Sequence, residues 1–161
     1  MNPYLICATP RSGSAWLANF LSSGDCLCVH EPLAHSPRAE GYRVVGGVDT
    51  GAAFHVEQLR AAMPALRLYA LTREPAEIRA SLERCGLPWL DYPALALPTF
   101  DYAQLRDVDY LGDVWGELNG AGFDATRAAQ LIEMNVQRDL GRLAARLQER
   151  YEWHGQSSLH P

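Results

Sequence analysis

Lysine is absent: all 14 basic residues of the chain are arginines. That removes Schiff-base chemistry and the lysine of a Walker-type phosphate loop. Any anion site has to be built from guanidinium forks, hydroxyls and backbone N–H groups. Long hydrophobic runs are also missing, and the longest fall well short of the roughly 20 residues that a membrane-spanning helix needs. The opening residues, Met1-Asn2-Pro3-Tyr4, carry neither a basic n-region nor a small-residue cleavage site, so the expectation is a cytoplasmic protein with no membrane partner. Basic charge is the minority charge. With 19 acidic residues against 14 basic ones the net charge is −5, the opposite of the balance a general nucleic-acid binder carries.

Cysteine is scarce: Cys7, Cys26, Cys28 and Cys85. Cys7 stands inside an apolar run and reads as a small buried hydrophobe. Cys26, Cys28 and His30 alternate, so a strand would put them on one face. The set is one ligand short and lacks the usual two-residue cysteine spacing. No metal is expected, and the thiols read as reduced residues of a cytosolic protein.

What is present points to one α/β domain spanning residues 1–161. The apolar fraction is 48% and the charged fraction 20%, ordinary globular values, and a chain of this length buries a core without disulfides. Tyr4-Leu5-Ile6-Cys7-Ala8 is a short continuous apolar run, the pattern of a strand buried on both faces. It ends in the loop chemistry of Thr9-Pro10-Arg11-Ser12-Gly13-Ser14. Helical spacing follows over 15–21, with Trp16 and Phe20, and Leu17 and Leu21, four apart; Ser22-Ser23-Gly24 stops it. Further strands are predicted over 27–30, 42–48 and 66–71, and a helix over 56–63. A second helix begins at Pro75, which fits the first helical position. Residues 34–53 otherwise read as irregular, and 86–123, rich in Pro, Gly and aromatics, resists assignment. A last helix is predicted from a cap at Asp124 to about Tyr151, its apolar face running Ala128, Leu131, Ile132, Val136, Leu140, Leu143 and Leu147. Alternating strands and helices predict a mostly parallel sheet covered on both faces, with ligands at the carboxyl ends of its strands.

Two strand ends lead into Arg-bearing loops that open helices. In Thr9-Pro10-Arg11-Ser12-Gly13-Ser14 the free backbone N–H groups and the positive end of the following helix converge. Gly13 permits close approach, Ser12 and Ser14 add hydroxyls, and Arg11 adds charge. The loop lacks the lysine and the magnesium-binding hydroxyl of a Walker A motif, which disfavours a metal-assisted kinase or ATPase. In the second loop Arg73 stands eight residues before Ser81. The two can share an anion only if the chain doubles back.

These residues resemble a family. The stretch Tyr4-Leu5-Ile6-Cys7-Ala8-Thr9-Pro10-Arg11-Ser12-Gly13-Ser14-Ala15-Trp16-Leu17 looks like the 5′-phosphosulfate loop of the sulfotransferases that use 3′-phosphoadenosine 5′-phosphosulfate (PAPS). Leu71-Thr72-Arg73-Glu74-Pro75-Ala76-Glu77-Ile78-Arg79-Ala80-Ser81 is similar to their 3′-phosphate motif. His30-Glu31-Pro32-Leu33-Ala34-His35 resembles a segment of carbohydrate-type and bacterial members in which an acidic residue before a proline is the candidate base.

The resemblance implies a short member with a three-layer αβα, P-loop nucleotide-hydrolase-like fold. It implies PAPS as cosubstrate, no metal, and a small-molecule or carbohydrate acceptor. Arg11 would contact the 5′-phosphate and bridging oxygen. Ser12, Gly13, Ser14 and the Ala15 position would line the phosphosulfate cradle. Trp16 would stack on adenine or else anchor its helix. Arg73 and Ser81 would hold the 3′-phosphate. Glu31 would be the general base, with His30 its competitor.

The chain departs from the family at Ala15, where most relatives carry Ser or Thr; a hydrogen bond to a charged group is worth about 1.5–3 kcal/mol. It also shows no C-terminal glycine-and-basic segment to close over the nucleotide. Two other readings stay open: a P-loop-like nucleotide kinase or phosphotransferase, and a module of the same fold that binds the nucleotide without catalysis.

Overall fold

The computed structural model describes residues 2–34 and 41–134. In chain order its elements are β1 (Tyr4–Ala8), α1 (Ser14–Leu21), β2 (Cys26–His30), β3 (Arg43–Asp49), α2 (Val56–Ala62), β4 (Arg67–Thr72), α3 (Pro75–Arg84), β5 (Thr99–Asp101), α4 (Val108–Asn119) and α5 (Ala125–Ile132). Short 3-10 turns occupy Ala52–His55 and Tyr102–Gln104. The five strands form one parallel sheet in the order β2-β3-β1-β4-β5. Among the described residues no helix is long and apolar enough to cross a membrane.

β1 lies at the centre, and all five of its residues are buried. Side chains alternate across a strand, so Tyr4, Ile6 and Ala8 join one core and Leu5 and Cys7 the other. On the first face α1, α4 and α5 supply Leu17, Phe20, Leu21, Leu111, Trp115 and Leu131. On the opposite face the turn before α2 and α2 itself supply Ala52, Ala53 and Leu59. Each large apolar side chain removed from water stabilises the fold by roughly 1.5–3 kcal/mol, and both faces of β1 contribute.

The chain runs from β1 outward to β2, returns through β3 to β1's side, and then crosses to β4 on the other side. β1 is therefore where the winding direction reverses. The loops leaving β1 and β4 open side by side at the carboxyl edge, the place where doubly wound sheets bind ligands.

The predicted elements up to residue 84 match the structure to within one or two residues at their ends, and residues 52–55 add a 3-10 turn. The stretch 86–123, which the sequence left unassigned, holds β5 and α4. β5 is too short to show a period. α4 buries Leu111, Val114, Trp115 and Leu118, but Gly112 and Gly116 lie within it, and each costs helix propensity of about 1 kcal/mol. Asp107 caps that helix by accepting from the N–H groups of Asp109 and Tyr110.

Asp124 does cap the last helix, through the Arg127 N–H, but the helix ends at Ile132 rather than continuing unbroken toward Tyr151. The Met134 N–H closes back on the Leu131 carbonyl at 3.1 Å, and the Trp16 indole takes the same carbonyl at 2.9 Å. The predicted apolar positions from Val136 onward lie outside the described residues.

Candidate functional site

The loop after β1 is drawn tight by its own serine. Ser12 is fully buried; its hydroxyl donates to the Thr9 carbonyl at 2.6 Å and its N–H donates to the same oxygen at 3.2 Å. The Ser12 side chain therefore shapes the loop from inside, which differs from the expected role of a hydroxyl turned toward a ligand. Thr9 Oγ1, at the root of the loop, is the one buried side-chain polar atom without a hydrogen-bond partner among the described residues.

Arg11 and Gly13 then take left-handed backbone, at φ 66° and 91°. A Cβ added at Gly13 would stand 2.5 Å from the Tyr102 ring, so glycine is required there both for its φ and for the approach of that ring. α1 starts directly afterwards with no side-chain cap. Its first N–H groups have no intrahelical acceptor, and the positive end of the helix faces the loop.

β4 delivers Arg73 to the same edge. Its Nη1 donates to the Arg11 carbonyl at 2.8 Å and its Nε to Glu77 at 2.8 Å. The guanidinium lies 4.2 Å from the centre of the Tyr102 ring. Ser81, buried on α3, accepts from Arg11 Nε at 3.0 Å. The doubling back that the spacing required is thus present, and Arg11, Arg73 and Ser81 line one open trough of about 340 Å³ together with Gly13, Trp16 and Tyr102. Trp16 lines it while anchoring the core. Its ring stacks on Phe20 at 5.7 Å and its N–H holds the end of α5.

The third segment meets the first at the carboxyl end of β2. Ser14 Oγ lies 3.1 Å from His30 Nε2, and that same ring nitrogen lies 3.3 Å from Glu31 Oε1. One nitrogen serves both neighbours, so this is not a two-nitrogen relay of the hydrolase type. The side chain of His30 is 41% exposed and that of Glu31 20%. Glu31 is, with Arg11, one of the two non-glycine residues with left-handed backbone among the described residues. Such conformations cost on the order of 1–3 kcal/mol and cluster at functional sites.

Asp49 ties the segment after Glu31 to the turn that follows β3. The Asp49 carboxylate is 1% exposed. It accepts from the N–H groups of Leu33, Gly51 and Ala52 at 2.8, 2.8 and 2.9 Å. Thr50 then donates its N–H and hydroxyl to Glu31 Oε2, both at 3.1 Å. Gly47 completes the support, because a Cβ there would stand 2.6 Å from Pro32.

Sequence reasoning did not single out Asp49, Thr50 or Tyr102. The run Asp49-Thr50-Gly51 carries the signal of an Asx-type turn and was legible in principle. Tyr102 carried no local signal. Tyr92 belongs to the Glu31 side of the molecule: its hydroxyl is held above the ordinary phenol range, chiefly by burial and secondarily by the Glu31 charge.

The cysteines stay apart from this site. Cys26 takes a hydrogen bond from Arg43 at 2.9 Å, while the Cys28 thiol is buried and pushed up to about 12 by that burial. Among the described residues no three His, Cys, Asp or Glu side chains converge on a metal-sized centre. His35, part of the third motif, lies outside the described residues. No protein-family model, curated protein or solved structure matches this chain.

Proposed function

We propose that the chain is a PAPS-dependent sulfotransferase of P-loop-like fold, moving a sulfuryl group to the hydroxyl, or less favourably the amine, of a small-molecule or carbohydrate acceptor. The observation that carries this reading is the junction of Arg11, Arg73 and Ser81 in one trough, made by residues 62 and 70 positions apart in the chain. A ligand with a phosphate at each end of an adenosine suits that trough, whose volume falls in the range of small-molecule sites. The 3′-phosphate would take Ser81 and Arg73. The 5′-phosphosulfate would take Gly13, Ser14 and the free amides of α1.

In the transfer, the acceptor oxygen attacks sulfur in line and the S–O bond to the 5′-phosphate breaks. Charge develops on the bridging oxygen, where the Arg11 guanidinium and the amides of α1 offset it without reorganising. The acceptor proton goes to Glu31 Oε1, the carboxylate oxygen not taken by Thr50, while His30 lies between that oxygen and the Ser14 hydroxyl. Arg and backbone donors are the charge-stabilising groups, which is the arrangement a chain without lysine can build.

A second reading, nucleotide binding without transfer, draws on one specific feature. Ser12 spends its hydroxyl on Thr9 and Ala15 has none, so the cradle offers fewer donors than the loop's composition promised. The kinase reading gains nothing comparable.

Calorimetric titration with adenosine 3′,5′-bisphosphate and with adenosine 5′-monophosphate tests the nucleotide. Wild type should prefer the bisphosphate. In Ser81→Ala the preference should shrink about tenfold, the equivalent of one charge-assisted hydrogen bond. Arg73→Ala should do at least as much; it frees the Arg11 carbonyl, as Ser81→Ala frees Arg11 Nε. Equal affinity of wild type for the two nucleotides would sink the proposal.

A further inference from the structure

Among the described residues three cations line the trough, and two of them are already engaged. Arg73 gives Nε to Glu77, Nη1 to the Arg11 carbonyl and its flat face to Tyr102. Arg11 gives Nε to Ser81. The third is Arg106, which no motif singled out. It is exposed, and among the described residues its side chain makes no hydrogen bond, ion pair or ring contact.

Its backbone, by contrast, is fixed on both sides. Leu105 is 3% exposed in the core, and its N–H bonds the Tyr102 carbonyl at 3.1 Å. Asp107 gives its N–H to Gln104 at 2.9 Å and caps α4 with its carboxylate. Tyr102, which opens this turn, stands against Gly13 and under the Arg73 guanidinium. The mounting is therefore held in register with both anion loops while the guanidinium has no partner among the described residues.

We infer that Arg106 is a nucleotide-binding residue, supplying the uncompensated positive charge that the trough directs at the phosphates of adenosine 3′,5′-bisphosphate. This rests on the nucleotide reading proposed above. Each phosphate monoester carries about −1.5 to −2 at neutral pH, so the ligand brings more charge than Arg11 and a Glu77-paired Arg73 offset. Glu133, also on the trough wall, adds to the deficit. An Arg fork on a rigid turn, with no partner to release among the described residues, loses little in engaging a phosphate.

The experiment is calorimetric titration of the full chain with adenosine 3′,5′-bisphosphate at several salt concentrations, for wild type, Arg106→Ala, Arg106→Gln and Arg84→Ala. Arg84 is an exposed cation outside the trough. Both Arg106 variants should bind about tenfold more weakly and lose affinity less steeply with salt. Their melting temperatures should match wild type, and Arg84→Ala should bind as wild type does. Arg106 variants within twofold of wild type would overturn the inference and leave the nucleotide reading standing. So would an equal loss in Arg84→Ala, which would reduce the effect to net charge. A wild type that binds adenosine as well as the bisphosphate would overturn both.

Discussion

Glu31 combines a left-handed backbone with a carboxylate locked from behind by Thr50. A side chain that served only as a surface turn would need neither. If Glu31 takes the acceptor's proton, Glu31→Gln keeps the shape and the Thr50 contacts and removes the basicity. Sulfuryl transfer from PAPS, followed as adenosine bisphosphate release across an acceptor panel, should then fall by about 10²–10⁴-fold, the usual worth of a positioned base. Affinity for adenosine 3′,5′-bisphosphate should stay within twofold. A variant with unchanged turnover would move the base role to His30.

The residue scale also shows how far local reading reaches. Arg11, Gly13 and Arg73 were legible in the loop chemistry at two strand ends, and Glu31 was singled out by the resemblance of His30-Glu31-Pro32. Tyr102 was not. Its importance comes from where a 3-10 turn delivers a ring, against a glycine and an arginine remote in the chain, and no neighbour in sequence announces that.

At the scale of the element, α1 must present its N-terminus to the site while its C-terminus is stabilised by something other than its own sequence. It has no basic residue in its last turn. The carbonyls of Asn19, Phe20 and Ser22 are instead taken by the Arg127 guanidinium of α5 at 2.7, 2.8 and 2.6 Å. A cation there opposes the negative end of the helix, and a planar fork spans acceptors that a lysine ammonium would have to choose between. Arg127→Ala should lower the urea-unfolding free energy by about 2 kcal/mol, the scale of hydrogen bonds from a charged donor, and Arg127→Lys should recover only part of it.

α5 breaks after Ile132 for a related reason. The apolar spacing continues in the sequence past Ile132, but periodicity says nothing about which carbonyl a distant indole occupies. Leu131 is claimed by Trp16. α4 was missed because its two internal glycines weaken it locally, while its packing onto the β1 face is a tertiary gain.

At the scale of the whole molecule, β1 and the edge strand β2 each place a thiol in the core, and this sets an alkaline limit on stability. Burial, with a secondary contribution from the Asp49 charge, lifts the Cys7 thiol from 9.0 to about 11. Burial lifts the Cys28 thiol from 9.0 to about 12, and Tyr4 is raised as well by the same cause. A group whose folded pKa exceeds its unfolded one gives up stability as the unfolded chain begins to lose a proton that the folded chain keeps. The contribution is intact below pH 9 and is lost as pH rises through 11 and 12, at up to about 1.4 kcal/mol per pH unit for each thiol. Urea midpoints should therefore fall steadily above pH 9, and the decline should be shallower in Cys28→Ala, whatever that variant's starting stability. A flat profile in wild type would contradict this account.

By itself the sequence determined the α/β class, the strand-loop-helix opening and the absence of a lysine-based phosphate site, because periodicity, turn chemistry and composition are local properties. Only the tertiary structure decided that Arg11 reaches Ser81, that Arg73 closes on the Arg11 carbonyl, and that Ser14, His30 and Glu31 meet. Those contacts depend on β1 lying between β3 and β4 in one parallel sheet. Strand order is settled by which buried faces pack best over the whole chain, and no short stretch of residues carries that information.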